Sequence, residues 1–211
     1  MATNKLAGYS LVLASILLFV SGLPGMDGTH QGNILTVVGF TGIIFGAITL
    51  CDYLQKTGEG DNGWLKLIPV LAIVGWTAAA LSAGIDNFEE HANLESVNAV
   101  SMLSGSLFLS VGALGWLGNL GIQWILIKRT DFSKNMIYRG LTLLGALSSI
   151  GFIIATQSTL FLMEGFDPAT AAGVAGSGNM SAGWVWMIFL PGLVITTLWS
   201  LATGIILSKK S

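Results

Sequence analysis

The chain has 211 residues, of which 53% are hydrophobic and only 9% are charged. An average soluble domain carries about 25% charged residues, so this composition excludes an ordinary water-soluble fold and predicts a membrane protein. The nine basic and eleven acidic residues leave a formal net charge of −2, and we expect no nucleic-acid partner.

Six long apolar segments divide the sequence. They cover residues 6–23, 34–54, 67–85, 99–127, 140–163 and 182–207. About 20 helical residues cross a hydrocarbon core of about 30 Å, and lipid offers the backbone no hydrogen-bond partner, so segments of this length and uniformity predict helices and not barrel strands. We therefore predict an all-α fold, a six-transmembrane-helix bundle that forms one integral membrane domain over residues 1–211.

The basic residues all fall in alternate connections. They are Lys5, Lys56, Lys66, Lys128, Arg129, Lys134, Arg139, Lys209 and Lys210. Because basic loops stay in the cytoplasm during insertion, this pattern predicts a multi-pass protein of the cell membrane with both termini cytoplasmic. The first segment follows a lysine as a secretory signal does, but we expect it to remain as a transmembrane helix.

Both histidines fall in the first two predicted outer loops, which join the first segment to the second and the third segment to the fourth. Asp27 and His30 lie in the first of these loops, and Asp86, Glu90 and His91 lie in the second. Imidazole nitrogens and carboxylate oxygens are ligands for divalent metals such as zinc. If the second loop enters the fourth segment as a helix, its three residues share a face. These five residues are a candidate metal site, and hydrated acidic loops are the alternative.

Closely spaced glycines mark the second and fourth segments. Gly42 and Gly46 are four residues apart, and Gly112, Gly115, Gly118 and Gly121 follow at three-residue intervals. Small residues let helix backbones approach closely. The pattern indicates close helix packing, either inside the bundle or against a partner subunit.

Ionisable side chains are missing from the central part of every segment, although active transporters and intramembrane enzymes usually need them. Asp52 lies near the inner end of the second segment, where we expect it to pair with Lys56. The polar groups at depth are the amides of Asn119, Gln123 and Gln157, which either hold helices together or line a path for a solute.

Pro191 and Gly192 permit a kink in the last segment, as in some transporters. Trp76, Trp116 and Trp199 are also deep, and they either pack in the core or line a pocket for a pigment, quinone or lipid. The Gly- and Ala-rich connection over residues 164–181 has no predicted role.

Motifs for membrane enzymes are incomplete, and we predict no catalytic residue. Ser104 and Ser106 lack a histidine in the later segments that could act as a base, and Cys51, the only cysteine, excludes a multi-cysteine metal site.

Three functions remain open. The first is a non-catalytic subunit or scaffold of a larger membrane complex, with lipids and other membrane subunits or further copies of the chain as partners. The second is a small transporter or channel for a neutral or cationic solute, and the third is an outward-facing metal-binding membrane protein. Bound lipid is expected in each case.

Overall fold

A computed structural model of the chain describes the backbone of residues 3–23, 25–26, 29–58, 62–89, 103–129, 132, 134–162 and 180–209. Side chains are described for most of these residues, but not for residues 3, 62, 86–89, 158–162 and 180–190. The regular structure in the described part is helical, and six of its helices are long and apolar enough to cross a membrane. The predicted all-α bundle with six spans is therefore confirmed.

The six helices are numbered in chain order. They are α1 (Thr3–Ser21), α2 (His30–Lys56), α3 (Asn62–Glu89), α4 (Leu103–Lys128), α5 (Met136–Leu162) and α6 (Met180–Lys209). Within α4, a π turn over Leu107–Val111 precedes the regular α-helix Ala113–Lys128. Each helix matches a predicted segment apart from its end residues; the predicted start of the fourth segment, residues 99–102, lies outside the described part.

The helices pack as a closed ring in which each one contacts its neighbours in the chain and α6 returns to α1. The α1–α6 contact is a meeting of two glycines. A Cβ atom on Gly8 would lie 2.6 Å from the carbonyl oxygen of Gly204. This contact places both termini at the same end of the bundle, which we call the terminal end.

Most glycines of the predicted small-residue motifs pack against a neighbouring helix inside this ring. Gly42 and Gly46 of α2 face Ala14 and Leu11 of α1. On α4, Gly115, Gly118 and Gly121 all face α3, while Gly112 lies against the Phe108 carbonyl of its own π turn. These contacts show that the glycine pattern is used for packing inside the bundle.

Charged residues make contacts at the terminal end of the bundle. The predicted pair is confirmed, with Lys56 Nζ 2.6 Å from Asp52 Oδ2 on the exposed side of α2. Arg129 follows α4 and is buried, and its Nη1 donates a hydrogen bond of 3.0 Å to Thr57 Oγ1. Its guanidinium group also lies 5.7 Å from the ring centre of Phe132. This arginine therefore ties the end of α2 to the end of α4.

Candidate functional site

The structure describes two of the five residues predicted to bind metal, His30 and Asp86, and both lie in helices. His30 is not in a loop but in the first turn of α2, which Thr29 caps by accepting a 3.1 Å hydrogen bond from Gly32 N. Asp86 does not lead into the fourth span, because α3 continues through it to Glu89. The helix ends were underestimated because polar residues can extend a membrane helix beyond the lipid. Asp27, Glu90 and His91 lie outside the described residues.

The metal hypothesis therefore stays a prediction. Within the part of the chain that the structure describes, no three His, Cys, Asp or Glu residues come together as a metal site. His30 itself is exposed at the end of the bundle opposite the termini. The metal content of the purified protein, compared with that of a His91→Ala variant, is the measurement that decides this prediction.

A row of four aromatic side chains crosses the middle of the bundle. Phe40 of α2 stacks on Trp76 of α3 at 5.2 Å between ring centres, and Trp76 meets Trp116 of α4 edge to face at 4.9 Å. Trp116 in turn stacks on Phe152 of α5 at 3.8 Å. The row exists because α3 and α4 approach at two glycines: a Cβ atom on Gly75 would overlap the backbone of Gly115.

Beside this aromatic row lies a cavity, which we call the central chamber. It offers about 40 Å³ to the centres of water-sized molecules and is lined by α1, α2, α3, α4 and α6. Its aromatic and polar lining residues are Ser15, Phe40, Trp76, Trp116, Asn119, Thr196, Thr197, Trp199 and Ser200. One water needs about 10–15 Å³ of such volume, so the chamber has room for about three waters or one small solute.

The central chamber lies at mid-depth. Ile43, Trp76 and Trp116 line it, and each is at the middle of its helix. A helix that crosses a bilayer places its middle near the centre of the hydrocarbon layer. Polar groups here are far from water on either side of the membrane, so they require an explanation.

Three polar atoms of the chamber residues make no hydrogen bond. They are Trp76 Nε1, Trp199 Nε1 and Ser200 Oγ, and all three are buried. Other hydroxyls in the lining bond to their own helix, as Ser15 Oγ does with the Leu11 carbonyl at 2.7 Å and Thr196 Oγ1 with the Gly192 carbonyl at 2.8 Å. These three atoms belong to residues of α3 and α6 that line the chamber, and each is buried without a partner.

The three predicted amides have different positions. Asn119 lines the central chamber. Gln123 is fully buried one turn closer to the terminal end, where its Oε1 accepts a 3.1 Å hydrogen bond from Ser149 Oγ and its Nε2 has no partner. Gln157 lies elsewhere and donates a 3.3 Å hydrogen bond to the Leu109 carbonyl of the π turn. The structure thus brings only Asn119 to the chamber.

The residues around the chamber differ in polarity between the terminal end and the opposite end of the bundle. Toward the terminal end, buried polar side chains continue along α6 at Ser200 and Thr203, and Thr203 Oγ1 lies 2.9 Å from Tyr138 Oη. Toward the opposite end, the lining residues Leu18, Phe40 and Leu193 are apolar. Next to them, α6 is continuous through Pro191, and Gly192 packs on Phe152.

A second hollow, the lateral groove, runs between α2 and α3 on the outside of the helix ring. It measures about 410 Å³ and is lined by Val37, Thr41, Ile44, Thr77, Ala80, Leu81, Gly84 and Ile85. Thr41 Oγ1 bonds to the Val37 carbonyl of its own helix at 2.8 Å. The lining is therefore apolar apart from two threonines.

Sequence reasoning found part of the chamber. It noted Trp76, Trp116 and Trp199 as deep tryptophans, but it did not single out Ser200. The available signal was the spacing of Thr196, Ser200 and Thr203, which is that of one buried face of a helix. Comparison of the chain with protein-family models, with curated proteins and with solved structures finds no match.

Proposed function

We propose that the chain is a small transporter or channel for an uncharged solute, which passes through the centre of the helix ring. The observation that carries this proposal is the central chamber at mid-depth, whose lining residues include three with a buried polar atom that has no partner. Simple packing does not account for it, because a packed membrane core satisfies or excludes its polar groups.

The lining favours a neutral solute over a cation. Among the residues that the structure describes, those that line the chamber include no Asp, Glu, Lys, Arg or His. An ion at mid-membrane needs an opposite charge nearby, and the described lining supplies none. A cationic solute is therefore the weaker of the two alternatives raised by the sequence.

Flux through reconstituted vesicles tests the proposal. Purified protein in liposomes should speed the entry of formamide, followed by light scattering after rapid mixing. Ala47 lines the chamber and is buried, so Ala47→Leu places three extra carbon atoms there and should lower the flux at least tenfold. Ala80→Leu adds the same atoms to the lateral groove and is the matched control. Flux no faster than in protein-free vesicles, or unchanged in Ala47→Leu, contradicts the proposal.

A role as a subunit or scaffold of a larger membrane complex is the second candidate, and the lateral groove favours it. Ala80 and Gly84 are small, and a Cβ atom on Gly84 would have only one neighbour within 4 Å, Val37 Cγ2 at 4.0 Å. Small residues of this kind admit a partner helix, from another subunit or a second copy. Gly84→Trp should then reduce the size of the particle extracted in mild detergent. A monomeric wild-type particle without partners contradicts this candidate.

We further propose that the terminal end faces the cytoplasm, because the basic residues collect there. Cys51 is a buried free thiol, so it should not react with a membrane-impermeant maleimide. In intact cells Thr29→Cys should label and Lys209→Cys should not, until the membrane is permeabilised. The reverse pattern contradicts the orientation.

A further inference from the structure

We propose that the corner of the bundle where α4 connects to α5 binds the headgroup of an anionic phospholipid. We call it the basic corner and define it by exposed residues on both sides of the connection. They are Trp124, Lys128, Lys134, Met136, Ile137 and Arg139. Lipid binding at this corner requires neither the central chamber nor a path for a solute.

Basic charge is unequally shared between the two connections at the terminal end. Residues 52–66, which join α2 to α3, include two basic and three acidic residues, a net charge of −1. Residues 124–139, which join α4 to α5, include four basic residues and one acidic residue, a net charge of +3. The rule that places basic loops in the cytoplasm applies to both connections, so it does not explain why the surplus lies at one of them.

Three of the four basic side chains at the α4–α5 connection are exposed. They are Lys128, Lys134 and Arg139. Arg129 differs, because it is buried and donates its hydrogen bond to Thr57. Lysine and arginine form strong, charge-assisted hydrogen bonds with phosphate oxygens. The corner therefore presents three cations to a phosphate from the two sides of one connection.

The connection between α2 and α3 differs in its ion pairing. Lys56 there is already paired with Asp52, with 2.6 Å between Nζ and Oδ2. Trp64 and Lys66 are exposed at the start of α3. This connection has the same kinds of residue as the basic corner, a tryptophan and a lysine, without a surplus of positive charge. It is therefore an internal control.

Apolar side chains at the basic corner favour a lipid over a soluble anion. Met136 is 86% exposed and Ile137 is 84% exposed, the highest values among the large hydrophobic residues that the structure describes. Asn135 fixes their position, because its Oδ1 accepts hydrogen bonds from the backbone nitrogens of Ile137 and Tyr138 at 3.0 and 3.2 Å. A phospholipid provides both a phosphate for the cations and an acyl chain for these two side chains.

The outer face of α5 continues the apolar surface away from the corner. Ile137, Gly140, Leu144 and Leu147 follow at intervals of three and four residues, so they share one face of the helix. Leu144 and Leu147 are exposed, and a Cβ atom on Gly140 would meet no atom within 4 Å. An acyl chain can therefore lie along this face while its headgroup stays at the basic corner.

Two exposed tryptophans report on the two connections. Trp124 lies at the basic corner, where Lys128 Nζ is 4.4 Å from its ring centre. Trp64 lies at the α2–α3 connection and has a similar exposure, 51% against 58% for Trp124. Tryptophan in membrane proteins prefers the level of the lipid headgroups, so both rings should contact the lipids around them.

Quenching by brominated lipids tests the proposal. Bromine atoms on an acyl chain quench a tryptophan that they contact, and Trp124→Phe and Trp64→Phe give the two signals by subtraction from the full chain. In phosphatidylcholine liposomes, brominated phosphatidylglycerol should bind beside Trp124 at least about fivefold more strongly than brominated phosphatidylcholine, the effect of one basic residue near anionic lipid. Trp64 should distinguish the two lipids by less than about twofold.

Removal of two cations gives the first variant. Lys134→Gln combined with Arg139→Gln should lower the lipid preference at Trp124 to less than about twofold, because it leaves one exposed cation at the corner. Lys66→Gln removes an exposed cation from the other connection and is the matched control, with an unchanged preference at Trp124. Circular dichroism reports whether each variant is folded.

A second variant leaves the basic corner intact. Asp52→Asn releases Lys56 from its ion pair. The two helix ends are joined there, since Gln55 Nε2 donates a 3.2 Å hydrogen bond to the Leu65 carbonyl. The released lysine should therefore raise the preference for phosphatidylglycerol at Trp64 by about two- to fivefold. An unchanged preference at Trp64 contradicts selection of the lipid by unpaired positive charge.

The remaining outcomes are equally decisive. Equal quenching of Trp124 by the two lipids in the unmodified protein, or an undiminished preference in the folded double variant, overturns the anionic-lipid site. Inorganic phosphate separates a lipid from a free anion. If phosphate abolishes the preference at an ionic strength at which sodium chloride does not, the corner binds a soluble anion and the lipid proposal is wrong. A preference that survives phosphate supports the lipid.

Discussion

The central chamber and the lateral groove are both gaps between helices, yet their chemistry is opposite. The chamber is lined by residues of five helices, and three of these residues have a buried polar atom without a partner. The groove lies between α2 and α3 alone, it is about ten times larger, at 410 Å³ against 40 Å³, and its Thr41 hydroxyl bonds to its own helix.

The difference shows which gap needs an explanation. In a bilayer the lipid tails are as apolar as leucine, so lipid can fill an apolar groove on the outside of a bundle at little cost. Lipid tails offer no acceptor to an indole N–H. The volume of a gap between helices is therefore a poor guide to its function here. The unpartnered polar atoms beside the small chamber need an explanation, whereas the large apolar groove does not.

The largest expected contrast uses two glycines of α3. A Cβ atom on Gly75 would overlap the backbone of Gly115 on α4. A Cβ atom on Gly84, in the lateral groove, would have its nearest neighbour 4.0 Å away. Gly75→Ala should lower the free energy of unfolding by about 4 kcal/mol or more, the range of exceptional substitutions. Gly84→Ala should raise it by up to about 1 kcal/mol, because alanine favours a helix.

Unfolding by SDS in mixed micelles, followed by circular dichroism, measures both variants. Equal stabilities would show that α3 and α4 do not meet at glycines, and the aromatic row would then lose its structural basis.

The aromatic row gives the second contrast. Trp116 is 4% exposed and contacts both Trp76 and Phe152, so Trp116→Leu leaves a void beside the chamber. We expect a loss of about 2–4 kcal/mol in the free energy of unfolding, as for other large core truncations. Leu81→Ala in the groove should cost less than about 1 kcal/mol, since Leu81 is 54% exposed. A Leu81→Ala variant as unstable as Trp116→Leu would show that the groove is a packed interface.

The sequence was sufficient for the six helices because their signal is local. Length and apolarity define a span, as the match of α2 and α5 with their predicted segments shows. The order of helices in the ring was not predictable, because the α1–α6 closure depends on Gly8 and Gly204, which are distant in sequence. The glycine motifs indicated close contacts without naming the opposing helix.

The candidate site was only partly predictable for the same reason. Asn119, Trp76 and Trp199 could be recognised as deep, but depth does not reveal whether a donor has a partner. Gln123 and Gln157 had the same signal as Asn119 and instead hydrogen-bond to Ser149 and to the π turn. A side-chain amide becomes a site residue or a helix contact according to its three-dimensional neighbours.

The hydrogen bond between Ser149 and Gln123 gives a smaller effect. Ser149 Oγ donates to Gln123 Oε1 at 3.1 Å beside Trp199. A double-mutant cycle with Ser149→Ala and Gln123→Leu should give a coupling of about 0.6 kcal/mol, the average for such bonds in membranes. A coupling near zero would contradict the hydrogen bond between Ser149 and Gln123.

The smallest expected effect on stability is at Ser200. Because Ser200 Oγ has no partner, Ser200→Ala removes no hydrogen bond and should change the free energy of unfolding by less than about 0.5 kcal/mol. Thr41→Val in the groove is the matched hydroxyl removal and should be equally mild, since Thr41 bonds only to its own helix. A loss above about 1 kcal/mol in Ser200→Ala would mean that this hydroxyl is bonded in the folded protein, and the contrast between unpartnered polar atoms beside the chamber and a satisfied groove would no longer hold.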